Sequence, residues 1–525
     1  MKSNENSFVE NLKVFIDIRS ITMLFLGFSA GLPLLMIFSS LGLWLREAGI
    51  EKSSVTYFSW AALGYSFKFI WAPLVDKLPI PILSKLLGRR RSWLILSQLM
   101  IMVSILIMAF TNPALGGDSL LFMALGAALL GFSAATQDIV IDAFRIESAD
   151  PKMQATLAAT YIAGYRIGML TSGAGALFIA AYFGTSMGAY SYTAWRNTYI
   201  IMSLFMLVGV GITLIRPEPT VENSKNIHST KDYATLFFMF LIIAGSFIAT
   251  FYFTSEITAS ASKSLKDIVH NKALAGLIVG TIRLASAILV AFSISLFIGK
   301  TKVVNTDMVE EGYINPIRNF FQRYGNSFAI LLLSLIGLYR ISDIVLGVIS
   351  NVFYQDLGFT KIQIASVVKT FGLIMSLLGG FLGGALTTRF GVIRLLFWGA
   401  VLSAATNLLF MLLAQMGNNL PMLYLVISAD NLAAGLASAA FVAFLSSLTD
   451  VSFTAVQYAI FTSLMTLLPK VIGGYSGTIV DTVGYSWFFA MTAIIGLPVL
   501  YIVILCGKKF KLNESQDSNE IYAED

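Results

Sequence analysis

The stretch REAGIEK, residues 46–52, follows the first long apolar run of the chain, and the related stretch QDLGFTK, residues 355–361, follows the ninth. A second match joins AFRIESADPKMQAT, which begins at Ala143, to AFLSSLTDVSFTAV, which begins at Ala443. Both matches occur in the same order in two long apolar segments. They predict an internal repeat whose two copies run in parallel through the fold.

The composition of the chain is that of a membrane protein. Of its 525 residues, 57% are hydrophobic and 12% are charged, and the mean hydropathy is +0.78. Such a chain is too apolar for a soluble domain and too long for a few spans. A single cysteine, Cys506, excludes an internal disulfide. Both histidines, His228 and His270, fall in polar connecting stretches, so we expect no metal site and no other cofactor.

Apolar windows long enough to cross a bilayer recur along the chain. A hydrocarbon core of about 30 Å needs roughly 20 apolar residues per helix. No small-residue cleavage site follows the mixed-charge N-terminus, so we expect the first helix to be retained. The predicted spans are residues 20–45, 54–76, 92–111, 119–143, 155–183, 195–215, 233–257, 273–299, 327–351, 362–388, 391–414, 421–448, 453–480 and 485–506.

Two polar runs, residues 216–232 and 300–324, divide these spans. We therefore predict an all-α polytopic membrane protein with two six-helix halves and two inserted helices, about 14 transmembrane helices in all. Two such halves around a central cavity describe the major facilitator fold, in which one half rocks against the other. The predicted units are the N-terminal half, 1–216; the linker with the inserted helices, 217–325; the C-terminal half, 326–506; and a cytoplasmic tail, 507–525.

Basic residues predict the orientation of the chain. The second-to-third loop holds Lys77, Lys85 and the arginine run 89–91, whereas the third-to-fourth loop holds Asp118 and no base. Because short loops rich in Lys and Arg stay in the cytoplasm, the arginine loop and both chain ends are predicted to be cytoplasmic. The basic segment 263–272 would then face outward, against this rule, so the topology of the inserted pair stays open. The pI of about 9.1 reflects these loops, and we expect no nucleic-acid partner.

Charged side chains inside spans are costly and commonly mark a pathway or an ion pair. No predicted span contains a histidine, so any proton coupling has to use aspartate. The candidates for it are Asp138, Asp343 and Asp430. The charged residues of the spans include Lys68, Asp138, Asp142, Arg166, Arg340, Asp343, Lys369, Asp430 and Lys470.

Some of these charges have a simpler interpretation. Asp142 and Arg145 are spaced at i, i+3, where a static pair within one helix accounts for both. The same spacing separates Arg340 from Asp343. For that pair, a static ion pair and a functional role in transport both stay open. Asp138 shares the helical stripe of Asp142 and lies one turn deeper, with no cation on its N-terminal side. We therefore predict that Asp138 acts in the cavity.

Three further charges have no partner on their own helix. Asp430 lies in an apolar stretch and is predicted to be a binding or proton-carrying residue. Lys68 and Lys369 lie at corresponding places in the second helix of each half, where they would suit an anionic substrate. The alternative for both lysines is that each neutralises a buried aspartate of a neighbouring helix.

Short motifs occur in a fixed order over both halves. In the N-terminal half they are AGLP (30–33), KFIWAPLVDKL (68–78), GRRRSW (88–93), ATQDIVIDAF (135–144), GYRIGMLTSG (164–173) and PEPT (217–220). In the C-terminal half they are LYRISD (338–343), VVKTFG (367–372) and AFVAFL (440–445). Each string is weak alone, but their order and spacing resemble the AmpG family of muropeptide permeases, within the major facilitator superfamily.

The resemblance implies a transporter of the bacterial inner membrane. Such a protein would import N-acetylglucosaminyl-anhydro-N-acetylmuramyl peptides from periplasm to cytoplasm, driven by the proton gradient. Acetyl-CoA transporters are similar too, so acetyl-CoA or another anionic metabolite, carried by symport or by exchange, is the alternative. No histidine and carboxylate set and no G-x-x-x-x-G-K-[ST] phosphate loop occurs, so we expect no enzymatic activity. We also expect a monomer in the lipid bilayer.

The resemblance also implies roles for single residues. The predicted substrate-binding residues are Gly31, Lys68, Gln137, Asp138, Arg166 and Lys369. Asp76 with Arg89 and Arg90 resembles the cytoplasmic motif of the superfamily, which latches the outward-open state by charge pairing. The inserted pair departs from the better-known family members, which carry an additional pair at the C-terminus, so the role of this insert stays open.

Overall fold

The protein is built from helices. The computed structural model describes residues 17–148, 154–219, 229–269, 272–301, 303–310, 314–450 and 454–521. Within them no β-strand forms, and the one isolated bridge joins Ser186 to Ala189. The predicted all-α membrane fold is confirmed.

The helices follow the predicted order. The N-terminal half contains α1 (Ile18–Glu47), α2 (52–77), α3 (Arg89–Ala109), α4 (Gly117–Glu147), α5 (154–182) and α6 (Tyr192–Ile215). The inserted pair is α7 (Thr230–Phe253) and α8 (Lys272–Lys300). The C-terminal half contains α9 (Asn326–Asp356), α10 (361–390), α11 (Val392–Met416), α12 (Leu420–Leu448), α13 (454–483) and α14 (485–521). Short helices in the connections are Leu83–Leu87, Ser255–Val269, Thr306–Val309 and Asn315–Tyr324.

Length and hydropathy support 11 of the 14 predicted membrane crossings. Among the described residues, 11 helices are long and apolar enough to span a bilayer. The other three predicted spans correspond to α2, α7 and α13, which are helical. Helix α2 is broken by 3-10 segments, and the apolar part of α7 is short, at Ala234–Thr250. The count of about 14 therefore stays a prediction.

Helix α2 is irregular. It passes through 3-10 segments at Phe58–Leu63 and Lys68–Ile70 before its last turns, Ala72–Lys77. Pro73 has no backbone N–H, so the α-helical hydrogen bond to the carbonyl of residue 69 cannot form. Short 3-10 stretches inside a helix often mark a hinge. The predicted site residue Lys68 therefore lies in the part of α2 that is least regular.

Three other helices contain π-helical segments. These are Met36–Ser40 in α1, Thr171–Gly175 in α5 and Ile364–Phe371 in α10. The α5 and α10 segments contact each other across the two halves. Because π-helical turns frequently occur at functional sites, this boundary is a candidate for the site, and Lys369 lies in the α10 segment.

Glycines bring α1 and α5 into close contact. A Cβ atom at Gly31 would collide with the backbone of Tyr165, and one at Gly164 would collide with the carbonyl of Leu24. Gly27 and Gly168 repeat the pattern one turn away, so both helices carry the G-x-x-x-G spacing of close helix pairs. Gly31 was predicted to bind substrate, but in this structure it is buried in the contact between α1 and α5 and has no open face.

The two halves meet along several pairs of helices, and α1 contacts α9 in one of them. Helix α2 packs against α13, and α5 packs against α10. Between α2 and α13, the hydroxyl oxygens of Ser66 and Thr466 lie 2.6 Å apart, and Trp60 Nε1 donates to the carbonyl of Val471 at 3.2 Å. Side chains of both halves therefore line the same boundary.

The inserted helices pack as a pair that touches both halves. Helices α7 and α8 contact each other along their length. The ring centre of Phe240 in α7 lies 5.9 Å from that of Trp71 in α2. Gly280 in α8 packs against the side chain of Tyr475 in α13. The pair is therefore attached to the boundary between α2 and α13.

Candidate functional site

Asp138 of α4 lies near titratable side chains of α2 and α5. Its Oδ1 atom is shielded from solvent and makes no hydrogen bond to any described residue. Lys68 of α2 and Asp142, one turn along α4, lie within electrostatic range. No salt bridge of 4 Å or less joins Asp138 to Lys68 among the described residues. The Oδ1 atom thus has an unused hydrogen-bonding capacity that a ligand or a proton can satisfy.

Three tyrosines lie near this carboxyl group. Tyr65, Tyr161 and Tyr165 all lie within electrostatic range of Asp138. The ring centres of Tyr161 and Tyr165 are 6.0 Å apart, and the buried Tyr65 hydroxyl has no hydrogen-bond partner among the described residues. Phenolic hydroxyls both donate and accept hydrogen bonds, and their rings can stack on apolar faces of a sugar. Tyr65, Tyr161 and Tyr165, here called the tyrosine cluster, therefore place polar groups near a buried carboxyl group.

Helix α13 adds a cation from the other half. Lys470 Nζ lies 5.6 Å from the ring centre of Phe38 and 5.5 Å from that of Tyr65. It is also within electrostatic range of Lys68. Lys68 and Lys470 thus bring two basic side chains close together where α2 meets α13, and such a pair favours an anionic ligand. Sequence reasoning noted the charge of Lys470 but did not include it among the binding residues, because the approach of α13 to α2 is a tertiary contact.

Gln137 packs toward α1 rather than toward the tyrosine cluster. Its side chain is fully buried, and Nε2 donates to Ser29 Oγ of α1 at 3.0 Å. The Gln137 amide oxygen Oε1 has no hydrogen-bond partner among the described residues, and its contact with a substrate stays a prediction. The residue holds α4 against α1 one position from Asp138, so it can orient the aspartate.

Lys369 lies in a separate polar cluster at the boundary of the halves. Its Nζ donates to Asn351 Oδ1 of α9 at 2.6 Å, and Ser39 Oγ of α1 lies 3.5 Å from the same oxygen. The prediction that Lys68 and Lys369 correspond is wrong. Counted from the equivalent lysines 52 and 361, Lys369 occurs at half the sequence distance of Lys68 and hence nearer the start of its helix.

Arg166 lies near the tyrosine cluster. It is partly buried in α5 and lies within electrostatic range of Tyr165. No salt bridge to a described residue involves its guanidinium group. Arg166 therefore keeps a donor set that an anionic ligand can use.

The C-terminal half contains two carboxyl groups near one guanidinium group. Arg340 Nε binds Asp343 Oδ2 at 3.1 Å, as the i, i+3 spacing predicted, and Ser403 Oγ donates to Asp343. Asp430 accepts from Thr406 Oγ1 at 3.3 Å and is within electrostatic range of Asp343 and Arg340. The three elements α9, α11 and α12 thus assemble a cluster with more acid than base.

The pair of Asp142 and Arg145 has the static geometry that its spacing predicted. Arg145 Nη2 lies 3.4 Å from Asp142 Oδ1, and the Asp142 side chain is 54% exposed. A pair this exposed contributes little to stability because water and salt screen it. Asp138 and Asp142 therefore differ in environment although they share one helical stripe.

The arginine loop binds acids that the sequence did not single out. Arg90 forms two hydrogen bonds with Glu147 at the end of α4, one of them 2.9 Å long, and Arg89 lies 4.0 Å from the same carboxylate. Glu218 accepts the backbone N–H groups of Arg90 at 2.7 Å and Arg91 at 3.0 Å. This carboxylate stabilises the N-terminus of α3, where the helix dipole favours negative charge.

The predicted cytoplasmic gate stays a prediction. Asp76 belongs to α2, but its side chain lies outside the described residues. Arg89 and Arg90 bind within the N-terminal half, so their latching of another transport state stays a prediction. The available sequence signals were the acids in the quoted stretches that contain Glu147 and Glu218.

Replacing Glu147 by glutamine is expected to destabilise the protein by about 2–4 kcal/mol, since it removes a carboxylate that binds the nearly buried side chain of Arg90. A fall in the melting temperature of the detergent-purified protein measures this loss. Asp118→Asn, a change of an exposed acid in the first turn of α4, is the matched control and is expected to leave the melting temperature unchanged. Equal melting temperatures for both variants would contradict the structural role of Glu147.

Comparison with known proteins agrees with this architecture. The family model of the Major Facilitator Superfamily matches residues 13–306 and 328–520. A protein of Rickettsia felis called putative transporter AmpG 4 is 31% identical over 497 residues, which cover 95% of this chain and 98% of that protein. The anhydromuropeptide permease of Escherichia coli is 27% identical over 508 residues, which cover 97% of this chain and 83% of that protein.

Solved structures share the fold at low sequence identity. A POT family transporter, crystallised with a thioalcohol-conjugated peptide, superposes with a TM-score of 0.61 at 14% identity and covers 93% of this chain and 96% of its own. The crystal structure of a D-xylose-proton symporter gives a TM-score of 0.59 at 12% identity and covers 92% of this chain and 96% of its own. At these identities the likeness establishes the fold alone.

Proposed function

Because the chain belongs to the major facilitator superfamily, and within it to the AmpG-type transporters, we propose that it imports anhydro-muropeptides by symport with protons. The protein is a multi-pass membrane transporter. The proposed direction is from periplasm to cytoplasm across a bacterial inner membrane, with both chain ends in the cytoplasm. The proposed units are the halves 1–216 and 326–506, joined by the linker 217–325, with the tail 507–525.

The observation that carries the proposal is the group of basic and phenolic side chains around Lys68 and Asp138. Lys68 lies within electrostatic range of Asp138 and of Lys470 in the other half. Tyr65, Tyr161 and Tyr165 lie within electrostatic range of the same carboxyl group. A muropeptide carries stem-peptide carboxylates, hydroxyls and N-acetyl groups. Fixed cations would bind the carboxylates, and the phenols would bind the sugar by hydrogen bonds and stacking.

Arg166 and Lys369 extend the proposed substrate site. Both are partly buried cations on helices that form the boundary between the halves, α5 and α10. Several cations at this boundary would suit a substrate with more than one anionic group. Gly31 and Gln137 support this site by holding α1 against α5 and α4.

Proton coupling is proposed to use the aspartates. Asp138 has an oxygen with no hydrogen-bond partner among the described residues, and Asp343 and Asp430 share one nearby guanidinium group. A carboxyl group can bind and release a proton as rocking brings a cation closer or removes it. Substrate binding and proton binding would then be linked through Lys68, which lies near Asp138.

An anionic metabolite such as acetyl-CoA is the second candidate. The same cations that favour a muropeptide favour any substrate with several negative charges. Aromatic and basic groups would also accept an adenine ring and phosphates. The two candidates differ in proton dependence when the second is carried by exchange.

Uptake into proteoliposomes tests the proposal. Purified protein is expected to accumulate a radiolabelled anhydro-muropeptide when the proton gradient is directed inward, and a protonophore is expected to abolish the accumulation. Acetyl-CoA in the same liposomes is the matched control substrate and is expected to stay outside. Uptake of acetyl-CoA without the muropeptide would replace the first candidate by the second.

A further inference from the structure

The two copies of the repeated turn, residues 46–52 and 355–361, have the same backbone geometry. Gly49 and Gly358 have φ values of 83° and 84°. In each turn the N–H after the glycine returns to a carbonyl in the last turn of the helix, at 3.0 Å and 3.1 Å. Glycine permits this helix ending because it adopts the left-handed region without steric cost. The turns therefore present their side chains in equivalent positions.

The lysine of each turn forms an ion pair with the acid of the other turn. Each turn has an acid before its glycine and a lysine three residues after it. Lys361 Nζ lies 2.6 Å from Glu47 Oε1, and Lys52 Nζ lies 3.0 Å from Asp356 Oδ2. Each lysine thus binds the acid of the opposite half. Reciprocal contacts of this kind are those of a twofold-related interface, here formed within one chain.

Each acid with its bound lysine and a nearby aromatic residue is called an arm here. In the Glu47 arm, the N-terminal half holds the carboxylate in place. Glu47 Oε2 accepts from Trp195 Nε1 at 2.8 Å and from Thr185 Oγ1 at 2.9 Å. Lys361 enters this pocket from the other half, donates to the Thr185 carbonyl, and places its Nζ 5.1 Å from the ring centre of Trp195. The lysine is therefore the part that must leave when the halves separate.

The Asp356 arm repeats this plan in the C-terminal half. Asp356 Oδ2 accepts from the Tyr485 hydroxyl at 2.7 Å. Lys52 enters from the N-terminal half with its Nζ 4.9 Å from the ring centre of Tyr485. Arg46 adds a second contact to Asp356, at 2.9 Å. Each arm thus consists of an acid, an aromatic residue of the same half and a lysine of the other.

The arms differ in exposure to solvent. The Glu47 and Lys361 side chains are 0% and 5% exposed, whereas those of Asp356 and Lys52 are 12% and 23% exposed. Removing one partner of a buried pair leaves a charge without compensation, whereas water screens an exposed pair. The Glu47 arm is therefore the stronger contact between the halves.

We propose that the two exchanged pairs form a latch that holds the predicted periplasmic end closed, and that withdrawal of Lys361 from the Glu47 pocket is the main step in opening it. The latch consists of Glu47, Lys52, Asp356 and Lys361. It acts on the equilibrium between the two halves, whichever substrate is carried. Neutralising the buried arm shifts that equilibrium toward the open state.

Distances between spin labels test the latch without any substrate. Labels on Met187→Cys, in the loop before α6, and Met416→Cys, at the end of α11, report the separation of the halves in a Cys506→Ala background. Lys361→Met is expected to raise the ratio of open to closed protein at least about tenfold. Glu51→Gln, an exposed acid of the same turn, is the matched control and leaves the distances unchanged.

A double-mutant cycle tests whether Glu47 and Lys361 act as a pair. Glu47→Gln is expected to open the protein as well, and the double variant Glu47→Gln/Lys361→Met is expected to open it less than the two single effects combined. Asp356→Asn, at the more exposed arm, should shift the distances in the same direction by a smaller amount, and it serves if Lys361→Met does not fold. Unchanged distances in folded Lys361→Met or Asp356→Asn, or additive effects in the double variant, would overturn the latch.

Discussion

Asp138→Asn is expected to reduce gradient-driven uptake of the transported anion to the level of empty liposomes. An asparagine keeps the size of the side chain and its ability to form hydrogen bonds but cannot bind a proton in the physiological range. The structure leaves Asp138 Oδ1 without a hydrogen-bond partner among the described residues, so this atom is available for a proton or a ligand. The measurement is uptake with and without an inward proton gradient, together with counterflow at equal pH.

The combination of assays separates coupling from binding. Counterflow needs no net proton movement, so Asp138→Asn is expected to retain it if the residue carries the proton and to lose it if the residue binds the substrate. Asp142→Asn is the matched control, because Asp142 shares the helical stripe but is exposed and paired with Arg145. We expect near-normal uptake for that control. Gradient-driven uptake by Asp138→Asn equal to that of the wild type would remove Asp138 from the mechanism.

Gly164→Val is expected to abolish recovery of folded protein. Even a methyl group at this position would collide with the carbonyl of Leu24, which belongs to the backbone of α1 and cannot rotate away. Gly164→Ala is therefore expected to cost about 3 kcal/mol, the upper end for overpacked cores. Size-exclusion profiles and melting temperatures of the detergent-purified protein measure both effects.

Gly211→Ala is the matched control for this prediction. Gly211 also lies inside a membrane helix, α6, but a Cβ atom there would have no neighbour within 4 Å. Alanine favours a helix over glycine by roughly 1 kcal/mol, so this variant is expected to be as stable as the wild type or slightly more so. Normal stability of Gly164→Ala would mean that α1 and α5 do not pack as closely as described.

Local spacing predicted those features that depend on one helix at a time. The apolar runs placed most helix bounds within a few residues, and the i, i+3 spacing anticipated the pairs of Asp142 with Arg145 and of Arg340 with Asp343. The isolation of Asp138 could also be anticipated, because no cation occurs on its own stripe toward the N-terminus. Helical periodicity and hydropathy act over a few residues, so they are readable in the chain.

Contacts between distant segments could not be read in this way. The sequence predicted Gly31 and Gln137 as substrate-binding residues but not that the first packs where α1 meets α5 and the second where α4 meets α1. It also missed Glu147 and Glu218 as partners of the arginine loop. Each of these roles depends on which helix face meets which neighbour, and that is decided by packing over the whole fold.

The repeated turn illustrates the division between the two levels. By itself the sequence determined that two equivalent turns exist, each with an acid, a glycine and a lysine in the same order, within a membrane protein of two parallel halves. Only the tertiary structure decided that the lysines exchange partners, with Lys361 bound to Glu47 and Lys52 bound to Asp356. The reason is that a charge pairs with the nearest opposite charge in space, and the distance between the halves is set by the packing of α2 with α13 and of α5 with α10.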